Sequence, residues 1–311
     1  MKYSKWLDKW YSAFIKPTLK GKTCERYHEV IEKHLKVRLG EYALKEITPS
    51  VIRRYVAYLA QCGNLKTGKP LSSSSINGII SIIQSSVKTA YESGEIKRYT
   101  LQRVARPKSE GRKVSCFTEK EQEIIEFAAL NDNRRSHFGI VLCLYSGLRI
   151  GELLALTWSD VDLENGMIYV NKTCYYGKDE KGVFGRITGE PKTMSSKRDI
   201  PLPKRFLPIL KQHKKHGKSE YVIEGENGMP ISVRSYQRSF SILQRNLAMK
   251  EKGFHSLRHT FATRALESGM DVKTLSEILG HNDASVTLNR YTHSMIKHKR
   301  EMMDRLGICL R

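Results

Sequence analysis

The sequence has no apolar run of the roughly 18–20 residues that a membrane-crossing helix requires, so no membrane span is expected. Its opening residues, MKYSKWLDKWYSAF, mix charged and aromatic side chains and lack the hydrophobic stretch of a secretory leader. Cysteines are few and dispersed. The six, at positions 24, 62, 116, 143, 174 and 309, include no C-x-x-C pair. That spacing argues against a zinc module and for free thiols in a reducing cytosol. Internal repeats are lacking as well. Acidic residues are scarce beside basic ones: 32 Asp and Glu face 54 Lys and Arg, for a net charge of +22. Such an excess points to a polyanionic partner, nucleic acid first, over the alternative of a merely soluble basic protein. With 311 residues, 40% of them hydrophobic, the chain suits two domains with sizeable cores.

Apolar residues at three- and four-residue spacing predict helices over 4–16 (Trp6, Leu7, Trp10, Tyr11, Phe14) and 22–38 (Tyr27, Val30, Ile31, His34, Leu35). Thr48 and Pro49 supply an N-cap and first helical position for a helix burying Val51, Ile52, Tyr55, Val56 and Leu59. Ser72–Ser75 cap a longer helix with Ile76, Ile79, Ile80, Ile83 and Val87, closed near Gly94. Residues 1–105 thus form a small helical bundle. The segment 97–116 is basic and aperiodic, and 106–116 is the expected interdomain linker. Thr118 and Glu121 form a capping box, and 136–146 is an apolar core helix broken by Gly147. Between 166 and 201 the pattern turns to strands, a hairpin or three-stranded sheet with turns near 177–185 and 194–196. Helices at about 203–215 and 232–249 follow, so that 117–311 makes a second domain with a C-terminal tail. His213 and His216 read as part of a solvated basic face.

The chemistry gathers near the C-terminus. In GFHSLRHTFATRAL (253–266), His255 and Arg258 are three apart and share a helical face. His281 follows Leu275, Ile278, Leu279 and a Gly280 helix stop, and Tyr291 comes ten residues later. Arginine offers a planar fork of donors to phosphate oxygens, and tyrosine an oxygen nucleophile able to hold phosphate covalently. The set suits attack on a phosphodiester. Each residue also has a plainer role: Arg149 pairing with Glu152 on a helix surface, His281 as a helix-end histidine, Tyr291 as a core tyrosine. His255 and His259 are four apart, but Ser256 stands where a zinc hydrolase would carry its glutamate.

The stretches SGLRIGELLAL, PKT…KRDIPL, HSLRHTFAT, LGH and NRYTH, in this order from about residue 118 to Tyr291, resemble the tyrosine recombinases, in particular the integrases of temperate phages and conjugative transposons. The resemblance implies a mainly α fold with a small antiparallel β-sheet. An N-terminal helical core-binding (SAM-like) bundle would precede a mixed α/β tyrosine recombinase catalytic domain. It implies Arg149 and Arg258 as phosphate clamps, Glu152 as the acid ordering the site, and His255 and His281 as aids to proton transfer or phosphate binding. Lys192 would protonate the leaving oxygen, with Lys197 as competitor, and Tyr291 would be the nucleophile. The expected partners are double-stranded DNA at attachment or core sites and a homo-tetramer on DNA, with room for an excisionase and a DNA-bending host factor. No cofactor or metal is called for, and the expected location is the bacterial cytosol and nucleoid. Many such integrases carry an arm-binding domain before the core-binding domain, whereas this chain starts almost directly on the bundle, as a two-domain member or a shortened one. A chromosome-dimer resolvase, a type IB topoisomerase and a non-enzymatic DNA-binding protein stay open as other functions.

Overall fold

The computed structural model describes the chain except for residues 20, 109–114, 179–182, 192–195, 226–227, 281–299, 301–302, 305 and 309–311. Two compact units divide it, Met1–Arg112 and Lys113–Arg311.

Among the described residues, the named elements of the first unit are all helical. Helix α1 (Tyr3–Trp10) buries Tyr3, Trp6, Leu7 and Trp10, each at most 1% exposed, because their i, i+3, i+4, i+7 spacing lines one face. Two polar atoms on that face share one partner residue: Tyr3 Oη lies 2.7 Å from Ser86 Oγ, and Trp6 Nε1 donates to Ser86 O at 3.1 Å. The chain then continues as a π-helical turn, Tyr11–Ile15, with Lys16 N–H bonded to Tyr11 O. This wider turn shifts the apolar stripe by one residue. Ile15 becomes the buried position, and Phe14, expected inside, is 38% exposed. A second π turn, Ile31–Leu35, joins α2 (Gly21–Val30) to α3 (Lys36–Leu39).

Helix α4 (Pro49–Cys62) starts at Pro49 as expected, but Thr48 makes no side-chain cap bond there, and Val56 is only half-buried. Helix α5 (Ser73–Glu92) is capped by Ser72 Oγ, which accepts from Ser75 N–H at 3.3 Å. Its buried Ile76, Ile79, Ile80, Ile83 and Val87 complete the core with α1 and α4.

The second unit begins on α6 (Glu119–Leu130). Its capping box is formed as expected, Thr118 N–H to Glu121 Oε2 at 2.7 Å and Glu121 N–H to Thr118 Oγ1 at 3.2 Å. Helix α7 (Phe138–Ser146) is apolar on every side and accordingly central, with only Tyr145 short of full burial. After α8 (Ile150–Ala155) come two small antiparallel sheets. One contains β1 (Val161–Asp162), β2 (Met167–Val170) and β5 (Arg198–Pro201) in the order β1-β2-β5, with Ile168 opposite Ile200. The other is a hairpin of β3 (Thr173–Lys178) and β4 (Phe184–Gly189). Both alternatives for the strand region are therefore present. The tips of the two expected turns, 179–182 and 192–195, lie outside the described residues.

Helices α9 (Leu207–Lys215), α10 (Val233–Asn246), α11 (His255–Glu267) and α12 (Val272–Leu279) follow. Helix α11 packs along α7 and is stapled to the start of the unit. Phe117 N–H donates to Thr260 Oγ1 at 2.9 Å, and Phe117 O accepts from Arg264 Nη2 at 3.1 Å. The fold class is as expected, mainly α with small antiparallel sheets. His213 corrects one expectation: it is not on a solvated face. Its ring stacks on Phe138 at 3.9 Å and Nε2 pairs with Val222 O at 2.9 Å, while His216 is exposed. Among the described residues, no helix is long and apolar enough to cross a membrane.

Candidate active site

Four of the expected site residues fall within the described chain: Arg149, Glu152, His255 and Arg258. Lys192, His281 and Tyr291 lie outside the described residues. The four stand at the starts of α8 and α11, and the ends of two other helices receive the arginines.

Gly147 ends α7 in the left-handed conformation, φ +65°, which a residue without Cβ adopts at no steric cost. Within two residues the chain enters α8, with Arg149 at the N-cap position. Glu152, three residues on, reaches back to the Arg149 N–H at 2.9 Å, the carboxylate half of a capping box. Its other oxygen accepts from Arg149 Nη1 at 2.7 Å. The i, i+3 pairing expected from the sequence is thus made twice, through backbone and side chain.

Glu152 is only 4% exposed, and a carboxylate so buried needs more than one cation's worth of donors. Arg198, at the start of β5, supplies them: Nη2 to Oε2 at 2.8 Å and Nη1 to Oε1 at 3.1 Å. Burial pushes the Glu152 carboxyl up, but the hydrogen bonds and charge of Arg198, then the charge of Arg149, outweigh it and bring the pKa down to about 2. The carboxylate stays ionised at any physiological pH.

The second of these helix ends is that of α12, which stops at Gly280, again left-handed at φ +62°. The last carbonyls of a helix have no intrahelical donors and carry the negative end of its dipole. Here three successive ones each receive a different arginine. Arg198 Nε donates to Ile278 O, Arg258 Nη2 to Leu279 O, and Arg149 Nη2 to Gly280 O at 2.9 Å. Arg258 also donates through Nη1 to Gly147 O at 2.8 Å, and at 2% exposure is almost wholly enclosed. The Arg149 side chain remains 35% exposed. The two expected phosphate clamps are therefore brought to one helix end, immediately before His281 in the chain.

His255 opens α11 on its exposed side, its ring 4.5 Å from that of His259 and nearly perpendicular to it. Lys197, the competitor of Lys192, is paired with Glu190 at 2.9 Å near the surface.

Sequence reasoning passed over Arg198, although it lies within the quoted KRDIPL. A signal was there: strand alternation places residue 198 on the face of residue 200, and Ile200 is 1% exposed. A charge on an inward face requires a partner.

The geometry assembles arginine forks around a buried carboxylate, an arrangement suited to binding and orienting a phosphate. Residues 117–298 match the phage integrase family, and residues 2–60 match the phage integrase N-terminal SAM-like domain. The chain belongs to the phage integrase family. Within curated proteins it is similar to a XerC-like tyrosine recombinase of Caldanaerobacter subterraneus subsp. tengcongensis, 31% identical over 213 residues, covering 62% of this chain and 54% of that protein. It is also similar to the transposase from transposon Tn916 of Enterococcus faecalis, 28% identical over 61% of this chain and 50% of that protein. The chain spans about half the length of these relatives. Among solved structures, the Tn1549 transposon integrase in complex with circular intermediate DNA is 25% identical, with a TM-score of 0.78 over 98% of this chain and 100% of that one. The lambda integrase tetramer bound to a Holliday junction shares the fold at 23% identity, with a TM-score of 0.68 over 91% of this chain and 78% of that one. The resemblance read from the motifs is borne out.

Proposed function

We propose that this phage integrase family member is a site-specific DNA recombinase of the tyrosine class that integrates or excises a mobile element. The observation that carries the reading is the convergence of Arg149 and Arg258 on Leu279 and Gly280, one residue before the histidine of the LGH motif. Two guanidinium groups at one place balance the charge that grows on a pentacoordinate phosphorus. The net charge of +22 supports a polyanionic substrate.

In this reading the Tyr291 oxygen attacks the scissile phosphate as the bond from phosphorus to the 5′ oxygen breaks. The products are a 3′-phosphotyrosyl link and a free 5′-hydroxyl. The tyrosine proton passes to a histidine or phosphate oxygen, and Lys192 protonates the departing oxygen. The 5′-hydroxyl of a partner strand then reverses the step. The phosphotyrosyl ester conserves the bond, so joining requires no nucleotide cofactor. Residues 1–105 serve as a core-site-binding domain, 106–116 as a linker and 117–311 as the catalytic domain. Four copies act on two duplexes through a Holliday junction in the cytosol, and the tail beyond Tyr291 docks on a neighbouring copy. An excisionase and a DNA-bending host factor would act on the same assembly.

The test is a cleavage trap. Wild type and Tyr291→Phe are each incubated with nicked duplexes carrying attachment-site candidates, from which the short fragment diffuses away after cutting. A slowly migrating covalent band in denaturing gels for wild type alone is expected. A band in both proteins moves the nucleophile elsewhere, and DNA binding without a band in either refutes the enzymatic reading.

A further inference from the structure

Arg198 differs from Arg149 beside it. Its side chain is 5% exposed, against 35% for Arg149, and its donors are committed inside the protein. Nε binds Ile278 O, Nη1 binds Glu152 Oε1 and Ser196 O, and Nη2 binds Glu152 Oε2. All three nitrogens of its guanidinium thus have partners within the protein. It occupies the fork position on Glu152, with two guanidinium nitrogens on two carboxylate oxygens, the strongest pairing the two groups make.

That occupancy decides how Arg149 is paired. With Arg198 on both oxygens, the Arg149 guanidinium meets the carboxylate through Nη1 alone, and its Nη2 is directed to Gly280 O. The cluster of two guanidiniums and one carboxylate carries one net positive charge, on its exposed side. Without Arg198, the same carboxylate would close on Arg149 as a full fork and cancel its charge. Arg198 also binds the carbonyl two residues before Gly280, so it fixes the helix end from which the chain runs into His281.

We propose that Arg198 is a positioning residue for strand cleavage: it holds Glu152 off the Arg149 fork and fixes the end of α12. The claim rests on the recombinase reading above.

Three variants test it: Arg198→Ala, Arg198→Lys, and Arg198→Ala combined with Glu152→Gln. The double variant removes the carboxylate that the single one leaves buried beside one cation, and so guards against simple misfolding. Single-turnover adduct formation on nicked DNA is expected to fall about 100-fold in Arg198→Ala, as for a small misplacement of reacting groups. Duplex affinity and thermal midpoint change little by comparison. Arg198→Lys recovers part of the rate, and the double variant cleaves faster than Arg198→Ala because no carboxylate then competes for Arg149. A second readout requires no cleavage. Modification of Arg149 by phenylglyoxal, mapped by mass spectrometry on the full chain, is expected to slow in Arg198→Ala as Glu152 closes on it.

Wild-type cleavage by Arg198→Ala overturns the proposal. So does a double variant slower than Arg198→Ala, with affinity and melting lost in step, which is the mark of a structural residue. Unchanged Arg149 modification overturns it too. Should wild type form no adduct, the recombinase reading fails, and the Arg149 modification rate still decides the role of Arg198.

Discussion

The core of the first unit and the site of the second are built on opposite terms. Around α1, the side chains are large and apolar, repeat at helical spacing, and place the polar atoms of Tyr3 and Trp6 on one residue, Ser86. Around the end of α12, the side chains are charged, come from three separate places in the sequence, and bind backbone carbonyls. The first arrangement gains its stability from area removed from water, about 25 cal/mol per Å². In the second, burial of charge is costly and is offset by complete pairing. A core of the first kind tolerates a change of shape at the expense of stability. A site of the second kind can keep its stability and lose its aim.

Trp6→Ala gives the largest expected effect on the stability side. It empties a fully buried position and should cost about 3–5 kcal/mol, read as a lower urea midpoint for the first unit. An unchanged midpoint would show that the bundle is not organised on α1. Gly147→Ala crosses the divide. Its φ of +65° and the Phe261 ring 2.5 Å from where a Cβ would sit predict a loss of about 2–4 kcal/mol. Because Gly147 O holds Arg258, cleavage should drop about 100-fold even where the protein remains folded. Equal losses of rate in Trp6→Ala and Gly147→Ala, at matched folded fraction, would erase the distinction between core and site.

The smallest effect concerns pH. Burial holds the His213 imidazole down to about 4, partly opposed by its bond to Val222 O and reinforced by Arg135. The unfolded group titrates near 6.5, so between these values the unfolded chain binds more protons. The contribution of His213 is therefore full above about pH 6.5 and is lost as pH falls toward 4. In His213→Phe, which keeps a ring against Phe138, the urea midpoint should fall less steeply across that window. A slope as steep as wild type would place the titrating group elsewhere, with His137, also held down by burial, the next to change.

What was legible in the sequence follows the same division. Periodicity found α1, α4 and α5, and the Thr118 and Glu121 box found the start of α6, because these are properties of neighbours in the chain. The pairing of Arg149 with Glu152 was legible for the same reason. The π turn at Tyr11–Ile15 was not, since no letter marks a turn one residue wider, and Phe14 was therefore placed inside. The partnership of Arg198 with Glu152 spans 46 residues and was hidden by distance. The carbonyls that receive the arginines were hidden more thoroughly. Every residue has one, so composition and motif are silent about which ones matter.

That anonymity bears on how the chain tolerates change. Because Ile278, Leu279 and Gly280 act through their main-chain oxygens, side chains at the outer positions of α12 can be exchanged without touching the arginines. The number of residues cannot. One residue inserted or deleted between the Asp271 cap and Gly280 turns the helix end by about 100° and offers each arginine a neighbour's oxygen in place of its own. In this short helix the sequence is read by counting, and a frame of fixed length matters more than the letters that fill it.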